Sequence, residues 1–480
     1  MPTAEALYHQ VLQNVLSVQE AILLAAESVE DFSLDEALSG PEASSWRQAM
    51  DSEYQSLMEN GTWQLVPALP NCNLVTCKWL LRKKLHADGS TSCYKARLVA
   101  RGFTQVPGMD YNETFSPVLR ITSFRVLIAI AAQFGFLLHQ MDVCTPFLNG
   151  NLQEEIYMTQ PDCYISAQHP DYVCRLLKSL YGLKQSPRQW YQQFHQCMLT
   201  LGYTRFHSDT NVYSRNTSDI LLFLAIYVDD ILLLSNSPSA LATTKGELNS
   251  SFSMTDMGAL HYCLGIQVFQ GHTKGVISIS QQSYIKSLLQ KNQMSACKGV
   301  ETPLPTALKL QQTDVKSTLP AELATFRYAN ILGGIRYLDT LQSTSGYVYF
   351  LAGGSISSQS KKQDRVTLSS TESEYVAMTF SLKEGIWLKC FLEKTTLFAN
   401  KPLLLHCDNL SAISLAKNLK HSEKKKHIAM KLQFIKELIQ EGSIELTHVR
   451  TDLQWADFLT KSTPKAKHIQ SCQQLGLKPL

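Results

Sequence analysis

The segment ILLFLAIYVDDILLL, residues 220–234, has the pattern of two strands joined by a turn. Two runs of aliphatic, β-branched and aromatic residues, each of strand length, flank Tyr227, Val228, Asp229 and Asp230. This pattern predicts a β-hairpin that carries two adjacent carboxylates at its tip. Because an unpaired buried carboxylate is costly, the pair lies either in a solvated turn, where Asp is common, or against a bound cation.

Hydrophobic periodicity along the rest of the chain predicts helices that alternate with strands. Apolar residues at helical spacing predict helices at residues 4–28, 45–59, 121–138, 176–197, 243–252, 283–292, 370–397, 411–418, 426–441 and 453–460. Strands are predicted within residues 78–81, 94–99, 139–143, 258–280, 343–363, 403–407 and 444–449. Two of the strands end in a carboxylate, Asp142 and Asp408, and strands alternating with helices are typical of α/β proteins.

Composition narrows the class of protein only slightly. The length of 480 residues suggests two to four domains, and 44% apolar with 18% charged residues is ordinary for a soluble globular protein. A net charge of +3 is too small to indicate a nucleic-acid partner by itself. The 12 cysteines include no C-x-x-C pair, which argues against zinc and fits a reducing compartment. With no secretory signal and no apolar span of about 20 residues, we expect a soluble protein without membrane contact.

Basic residues cluster in a predicted strand hairpin at residues 78–101, whose turn is Asp88-Gly89. Its cationic side chains are Lys78, Arg82, Lys83, Lys84, Lys95, Arg97 and Arg101. A hairpin of this kind either binds phosphates or forms a solvated sheet face, and the second is commoner for a charge run taken alone.

Several strings taken together carry a resemblance to one family. They include WRQAMDSEYQSL, YKARLVARGFTQVPGMDYNETFSPV, QMDVCTPFLNGNLQEEIYM, SLYGLKQSPRQWY, YVDD, HYCLGIQV, STSGYVYFLAGGSISSQSKKQ, LSSTESEYVAM, HCDNLSAISLAKN and ADFLTK. In this order they resemble the reverse transcriptase and ribonuclease H region of a copia-type retrotransposon polyprotein. The resemblance runs from about Ser33 to about Lys461.

The resemblance implies a right-hand polymerase of fingers, palm and thumb over residues 44–304, in an α+β or α/β fold. It assigns Asp142, Asp229 and Asp230 as catalytic metal ligands, with Asp230 the auxiliary member; strand capping is the alternative for Asp142. Two Mg²⁺ about 4 Å apart would activate a primer 3′-hydroxyl for attack on a nucleoside triphosphate. Carboxylate oxygens are the ligands that Mg²⁺ prefers. The implied partners are an RNA template, an RNA/DNA hybrid, a DNA primer and deoxynucleoside triphosphates.

Four further positions follow from the same motifs. An aromatic ring at Phe147 would crowd a ribose 2′-hydroxyl and favour deoxynucleotides, although a core aromatic is the alternative. Lys78 and Arg97 are expected to hold the triphosphate, with Arg binding through its planar fork, and Gln185 is expected to line the nucleotide pocket. Pro146 stands where the family usually has Ala, which predicts a tilted Phe147.

The resemblance also implies a ribonuclease H-like domain at residues 343–480, whose site needs four carboxylates around two Mg²⁺. Three are recognisable: Glu372, Asp408 and Asp457. The strand with the fourth should precede Ser343, but several dozen family residues are missing there, so residues 305–342 are a linker and deletion junction. A central strand lost in this way would leave neighbouring backbone groups unpaired. Asp339, with residues 334–338 as a replacement strand, is the one candidate substitute.

Three functions compete at this stage. The first is an RNA- and DNA-templated DNA polymerase with a damaged ribonuclease H part, favoured by the three intact aspartates. The second is a non-catalytic remnant or nucleic-acid-binding module, favoured by the internal loss. The third is a nuclease acting through the C-terminal carboxylates. Residues 1–43 form a predicted helical extension and linker that resembles no family over residues 1–30.

Overall fold

The computed structural model describes residues 30–70, 72–85, 91–271, 275–298, 343–364, 366–367, 369–398, 401–418 and 426–477. The helix predicted at residues 4–28, the turn at Asp88-Gly89, and residues 305–342 with Asp339 lie outside this set. In the part of the chain that is described, no helix is long and apolar enough to cross a membrane. The mixture of helices and sheets confirms the predicted fold class.

The N-terminal part packs two helices against two small sheets. Its elements are β1 (Glu30–Phe32), α1 (Leu34–Ser39), α2 (Ala43–Glu59), β2 (Trp63–Pro67), β3 (Leu74–Val75), β4 (Cys77–Leu85) and β5 (Thr91–Ala100). A capping box starts α1, because Ser33 Oγ accepts from the Glu36 amide and the Glu36 carboxylate accepts from the Ser33 amide. Strands β1, β4 and β5 form one sheet in that order.

The predicted basic hairpin is present as β4 paired with β5. Side chains alternate across a strand, so one face buries Trp79, Leu81, Ala96, Leu98 and their neighbours against α2. The opposite face carries Lys78 and Arg97, since Lys78 pairs with Val99 and Leu80 pairs with Arg97.

A six-stranded sheet with the order β13-β6-β12-β11-β10-β9 forms the palm. The elements of this region are α3 (Ile121–Phe134), β6 (Leu137–Val143), β7 (Asn151–Met158), β8 (Tyr172–Lys178), α4 (Ser186–Thr200), β9 (Thr204–Arg205), β10 (Val212–Ser214), β11 (Leu222–Tyr227), β12 (Asp230–Ser235), α5 (Pro238–Ser251) and β13 (Met254–Ala259). Strands β2, β8, β7 and β3 make a separate four-stranded sheet.

Helices cover both faces of the palm sheet. Along β12, Leu232 and Leu234 belong to the core under α3, whereas Ile231 and Leu233 belong to the core under α4 and α5. This alternation explains why β12 reads as a continuous apolar run, because a strand buried on both faces has no polar side.

Two predicted helices have different limits in the structure. The helix predicted at residues 121–138 ends at Phe134, because Gly135 adopts φ 70° and β6 begins at Leu137. The helix predicted at residues 176–197 begins only at Ser186 and has Pro187 in its first turn. Residues up to Lys178 belong to β8 instead.

Three short strands and a helix follow the palm, and a C-terminal unit occupies residues 343–477. The elements are β14 (Tyr262–Cys263), β15 (Ile266–Gln270), β16 (Ile277–Ser280), α6 (Gln282–Lys291), β17 (Thr344–Leu351), β18 (Gly354–Lys362), α7 (Ser370–Lys394), β19 (Leu403–Cys407), α8 (Leu410–Lys417), α9 (Lys426–Gln440), β20 (Ile444–His448) and α10 (Lys465–Gln474). Strands β17 and β18 are antiparallel, β19 and β20 are parallel, and among the described residues no strand joins the two pairs. Residues 305–342, where the joining strand was expected, lie outside the described residues, so the loss of a central strand stays a prediction.

Candidate active sites

Strand pairing brings the three predicted aspartates of the palm together. The hairpin of β11 and β12 turns through Val228 and Asp229, and Asp230 lies directly opposite Asp142 of β6. The Val143 amide donates to the Asp229 carbonyl at 2.9 Å, which attaches the tip to the neighbouring strand. All three aspartates are half-buried. The hairpin predicted from the apolar pattern is thus present, with its carboxylates at one end of the central strands.

The carboxylate cluster is electrostatically unfavourable without a cation. The pKa of Asp230 is raised to about 6, chiefly by burial and in smaller part by the neighbouring Asp229 and Asp142 carboxylates. Gln140 opposes this shift by donating from Nε2 to Asp230 Oδ1 at 2.8 Å. A set of converging carboxylate oxygens fits a hard divalent cation such as Mg²⁺, whose charge would relieve this repulsion.

The tip of the hairpin has a strained backbone and is held by a hydrogen bond from a buried tryptophan. Val228 has φ 57°, a left-handed conformation that is rare for a β-branched residue. The indole Nε1 of Trp190 donates to the Val228 carbonyl at 2.6 Å. Trp190 is buried and lies on α4, one turn after the start of that helix.

An aromatic and cationic group adjoins the aspartates. The Phe147 ring packs edge-on against Tyr181 with centroids 4.8 Å apart, and the Arg97 guanidinium lies 4.6 Å from the Tyr181 centroid. Burial raises the pKa of Tyr181 to about 12; Arg97 lowers it, and the Asp229 and Asp142 carboxylates raise it. Tyr181 therefore contacts both Phe147 and the Arg97 guanidinium of the basic hairpin. Sequence reasoning did not assign it, although it lies in the string SLYGLKQSPRQWY.

The other predicted nucleotide-binding residues differ in exposure. Lys78 is exposed and shares a sheet face with Arg97. Gln185 is 0% exposed and accepts from Gln105 Nε2 at 3.0 Å while donating to the Asp110 carbonyl at 2.8 Å. Its amide thus joins the loop after β5 to the start of α4 and does not face an open pocket. Pro146 opens the 3-10 turn that carries Phe147, and it leaves that ring in contact with Tyr181.

A second cluster of acidic groups lies in the C-terminal unit. Ligand atoms of Glu374, Cys407 and Asp408 lie within 4.8 Å of one another. Burial raises the pKa of Glu374 to about 6, with further contributions from Asp408 and Asp457. Burial also raises the pKa of Cys407 to about 11, so the thiol stays protonated near neutrality.

The helix carboxylate of this cluster is Glu374, which corrects the prediction of Glu372. Glu374 precedes buried Met378 by one helical turn and therefore lies toward the interior of the unit. Glu372 lies in the first turn of α7, where its amide donates to Ser369 Oγ at 3.2 Å. The helical phase of Tyr375, Met378 and neighbouring apolar residues is the sequence signal that separates the two glutamates.

Asp457 is buried in a different electrostatic environment. It begins a 3-10 turn and is 7% exposed. Lys461 Nζ lies 3.0 Å from one carboxylate oxygen, and Lys467 Nζ lies 2.5 Å from the other. Lys467 also donates to the Thr451 carbonyl at 2.6 Å. Two ammonium groups thus neutralise Asp457 within the chain.

A family model and several solved structures are similar to this chain. Residues 60–306, just over half of the chain, match the family described as reverse transcriptase (RNA-dependent DNA polymerase). The foamy viral protease-reverse transcriptase in complex with RNA/DNA hybrid covers 84% of this chain and 53% of its own, with 11% identity and a TM-score of 0.39. The foamy viral protease-reverse transcriptase dRH in complex with ds DNA covers 84% of this chain and 70% of its own, with 11% identity and a TM-score of 0.38.

Relatives extend the similarity beyond the palm. The chain is 34% identical to the retrovirus-related Pol polyprotein from transposon TNT 1-94 of Nicotiana tabacum, over 94% of this chain and 39% of that protein. It is 34% identical to the polyprotein from transposon RE1 of Arabidopsis thaliana, over 95% of this chain and 35% of that protein. The chain therefore spans well under half the length of these relatives. It belongs to the reverse transcriptase family and, within it, resembles the Pol polyproteins of copia-type retrotransposons.

Proposed function

We propose that this chain is a DNA polymerase that copies RNA and DNA templates and has an inactive ribonuclease H part. The observation that carries the proposal is the register of the palm sheet, in which Asp230 lies opposite Asp142 with Asp229 at the adjoining tip. The three carboxylates of this cluster are the kind of ligand that two-metal phosphoryl transfer requires. The substrates are a primer 3′-hydroxyl, a deoxynucleoside triphosphate and a template strand of RNA or DNA.

The side chains of this site contribute to the reaction by positioning the reacting groups. Two Mg²⁺, when bound, would activate the 3′-hydroxyl and neutralise the charge that develops on the pyrophosphate. Asp142 and Asp229 would hold these cations, with Asp230 as the auxiliary ligand. Gln140 fixes the orientation of Asp230, and the hydrogen bond between Val143 and Asp229 fixes the tip. These fixed groups hold the reacting atoms in line.

The incoming nucleotide lies between the basic hairpin and the carboxylates. Arg97, held on the Tyr181 ring, offers its guanidinium fork to the triphosphate, and Lys78 adds a second cation on the same face. Phe147, packed against Tyr181, excludes a ribose 2′-hydroxyl. Buried Gln185 supports the pocket from behind through its bonds to the loop after β5.

Ribonuclease H activity is lost because the C-terminal site is incomplete. Glu374, Asp408 and Asp457 supply three of the four carboxylates that the family uses. Asp457 is also paired with two lysines, whose charge competes with that of a bound cation. The alignment to the tobacco relative runs over 522 residues although it uses 94% of a 480-residue chain, so that relative has several dozen residues without counterparts here. This difference supports the internal deletion.

Primer extension tests the polymerase. The full chain is incubated with a labelled primer on RNA or DNA template, deoxynucleotides and Mg²⁺. We expect extension by the wild type and less than about 1% of that rate for Asp229→Asn, a substitution that keeps shape and removes charge. Asp219→Asn, at the exposed far end of the same hairpin, is the matched control and should extend normally. A folded wild type that never extends a primer would establish the non-catalytic remnant instead.

Hydrolysis of a labelled RNA/DNA hybrid tests the nuclease part of the proposal. We expect no cleavage by the wild type above the level of Asp408→Asn. Cleavage that disappears in both Asp408→Asn and Glu374→Gln would contradict the proposed inactivity.

A further inference from the structure

The C-terminal unit is bonded to the palm through polar groups of α7. The indole Nε1 of Trp387 donates to the Ser208 carbonyl at 2.6 Å, and the Arg120 guanidinium lies 4.8 Å from the Trp387 ring centroid. Nearby, Thr122 Oγ1 donates to Glu384 Oε1 at 3.3 Å. Residues more than 170 positions apart in the sequence are thus joined at the N-terminal end of α3.

Apolar contact extends this interface along α3. The Phe206 and Phe391 rings lie 5.1 Å apart, and the Phe134 and Phe398 rings lie 5.7 Å apart. The core cluster under α3 includes residues of both parts of the chain. From the C-terminal unit it contains Tyr347, Tyr349, Ile356, Leu388 and Phe391. Helix α3 therefore buries its apolar surface against the palm sheet on one side and the C-terminal unit on the other.

The interface is continuous with the strands that carry the catalytic carboxylates. Asp209, next to the residue bonded to Trp387, accepts from the Arg120 amide at 3.1 Å and from Ser123 Oγ at 2.5 Å, and so attaches the start of α3 to this segment. Two residues on, the Asn211 carbonyl accepts from the Ile226 amide of β11 at 3.0 Å. Helix α3 also packs against β6 and β12.

We propose that the palm depends on the C-terminal unit for its stable fold. Its helix α7 completes the cover of α3 and fixes the segment at residues 206–211, which holds both α3 and β11 in place. This function needs the aromatic end of α7 and none of the carboxylates around Asp408. The proposal concerns the folding of the palm, and it stands whether or not the palm is catalytically active.

Hydrogen exchange of the full chain tests this proposal directly. Trp387→Ala removes the indole donor and its apolar contacts, and Trp387→Phe removes the donor while keeping most of the ring. We expect amides of residues 121–134 to exchange about 100-fold faster in Trp387→Ala and about 10-fold faster in Trp387→Phe. Phe350→Ala, at an exposed aromatic of the same unit, is the matched control and should leave this exchange unchanged.

Catalysis gives a second readout. If the wild type extends primers, Trp387→Ala should lower the extension rate about tenfold, because loss of the cover loosens β6 and β12. Wild-type exchange of residues 121–134 in both Trp387 variants would overturn the proposal. It would equally be overturned if α3 lost no protection while the C-terminal unit unfolded separately at lower denaturant concentration.

Discussion

The indole N–H of Trp190 donates to the carbonyl of Val228, a residue in a left-handed conformation at the tip of the hairpin formed by β11 and β12. Such a conformation costs about 1–3 kcal/mol for a non-glycine residue and persists only where the surroundings impose it. Trp190 is fixed in turn by the rings of Phe194 and Phe252. Helix α4 thereby determines where the tip lies, although it contributes no carboxylate.

Replacing the indole of Trp190 should reduce both the stability of the protein and its rate of primer extension. Trp190→Phe removes the donor and leaves the Val228 carbonyl without its partner, at a cost of about 1–2 kcal/mol. We expect primer extension to fall about tenfold. Trp79→Phe is the matched control, because Trp79 Nε1 donates to the Asp162 carbonyl at 3.0 Å far along the chain from the tip. It should lose similar stability in urea unfolding but keep the wild-type extension rate.

The strained backbone of Val228 allows a second test of the role of Trp190. Val228→Gly removes the steric penalty of a positive φ and should restore part of the rate lost in Trp190→Phe. Equal losses in the single and double variants would show that the indole acts by some route other than holding the tip.

Asp230→Asn should stabilise the metal-free protein. The pKa of Asp230 is raised to about 6 from 3.8, so the folded state binds the proton more tightly than the unfolded state. Stability therefore falls as pH rises from 4 to 6, and the penalty is fully present at pH 8, where it is at most about 3 kcal/mol. We expect the variant to unfold at higher urea concentration than wild type at pH 8 and at equal concentration near pH 4.

Removing the charge of Asp256 on β13 should have the opposite effect on stability at pH 8. Lys245 lowers its pKa by donating to both carboxylate oxygens. Its contribution to stability is therefore present above the unfolded pKa and lost in acid, so Asp256→Asn should destabilise the protein at pH 8. If both variants shifted in the same direction, the carboxylate cluster of the palm would not be under the repulsion described here.

Local pattern was enough to predict the hairpin and the basic strands, because apolar runs and alternation are properties of neighbouring residues. The partnership of Asp142 with Asp230 came from the family resemblance, since 87 positions separate Asp142 from Asp229. Burial of Gln185 was not predictable, because its amide partner Gln105 lies 80 residues away. The string LSSTESEYVAM contains both Glu372 and Glu374, and only the helical phase of buried Tyr375 and Met378 distinguishes them.

Asp457 should respond to charge removal in the manner of a structural ion pair. Asp457→Asn leaves Lys467, whose side chain is 19% exposed, without its carboxylate partner. We expect a loss of about 3 kcal/mol in the free energy of unfolding. Lys461→Ala is the control, because that side chain is 57% exposed and its loss should change stability by no more than about 0.5 kcal/mol. Stabilisation by Asp457→Asn would mean that Asp457 is destabilising without a bound cation, as expected for Asp230.

Gly182 should tolerate no side chain, because it lies where the basic hairpin meets the palm. It has φ +91°, and a Cβ there would lie 2.0 Å from the Ala100 carbonyl oxygen and 2.6 Å from Val99 Cγ1. The Ala100 amide also donates to the Tyr181 carbonyl at 2.7 Å, so a shift at Gly182 moves Tyr181 away from Arg97. Gly182→Ala should therefore destabilise the chain by about 2 kcal/mol or more and raise the KM for the nucleotide.

Gly246→Ala is the control for this prediction. It lies inside α5 with no neighbouring atom within 4 Å, so the substitution should stabilise the chain by about 0.5–1 kcal/mol and leave the nucleotide KM unchanged. A normal nucleotide KM in a folded Gly182→Ala protein would show that the junction at Gly182 does not position the nucleotide pocket.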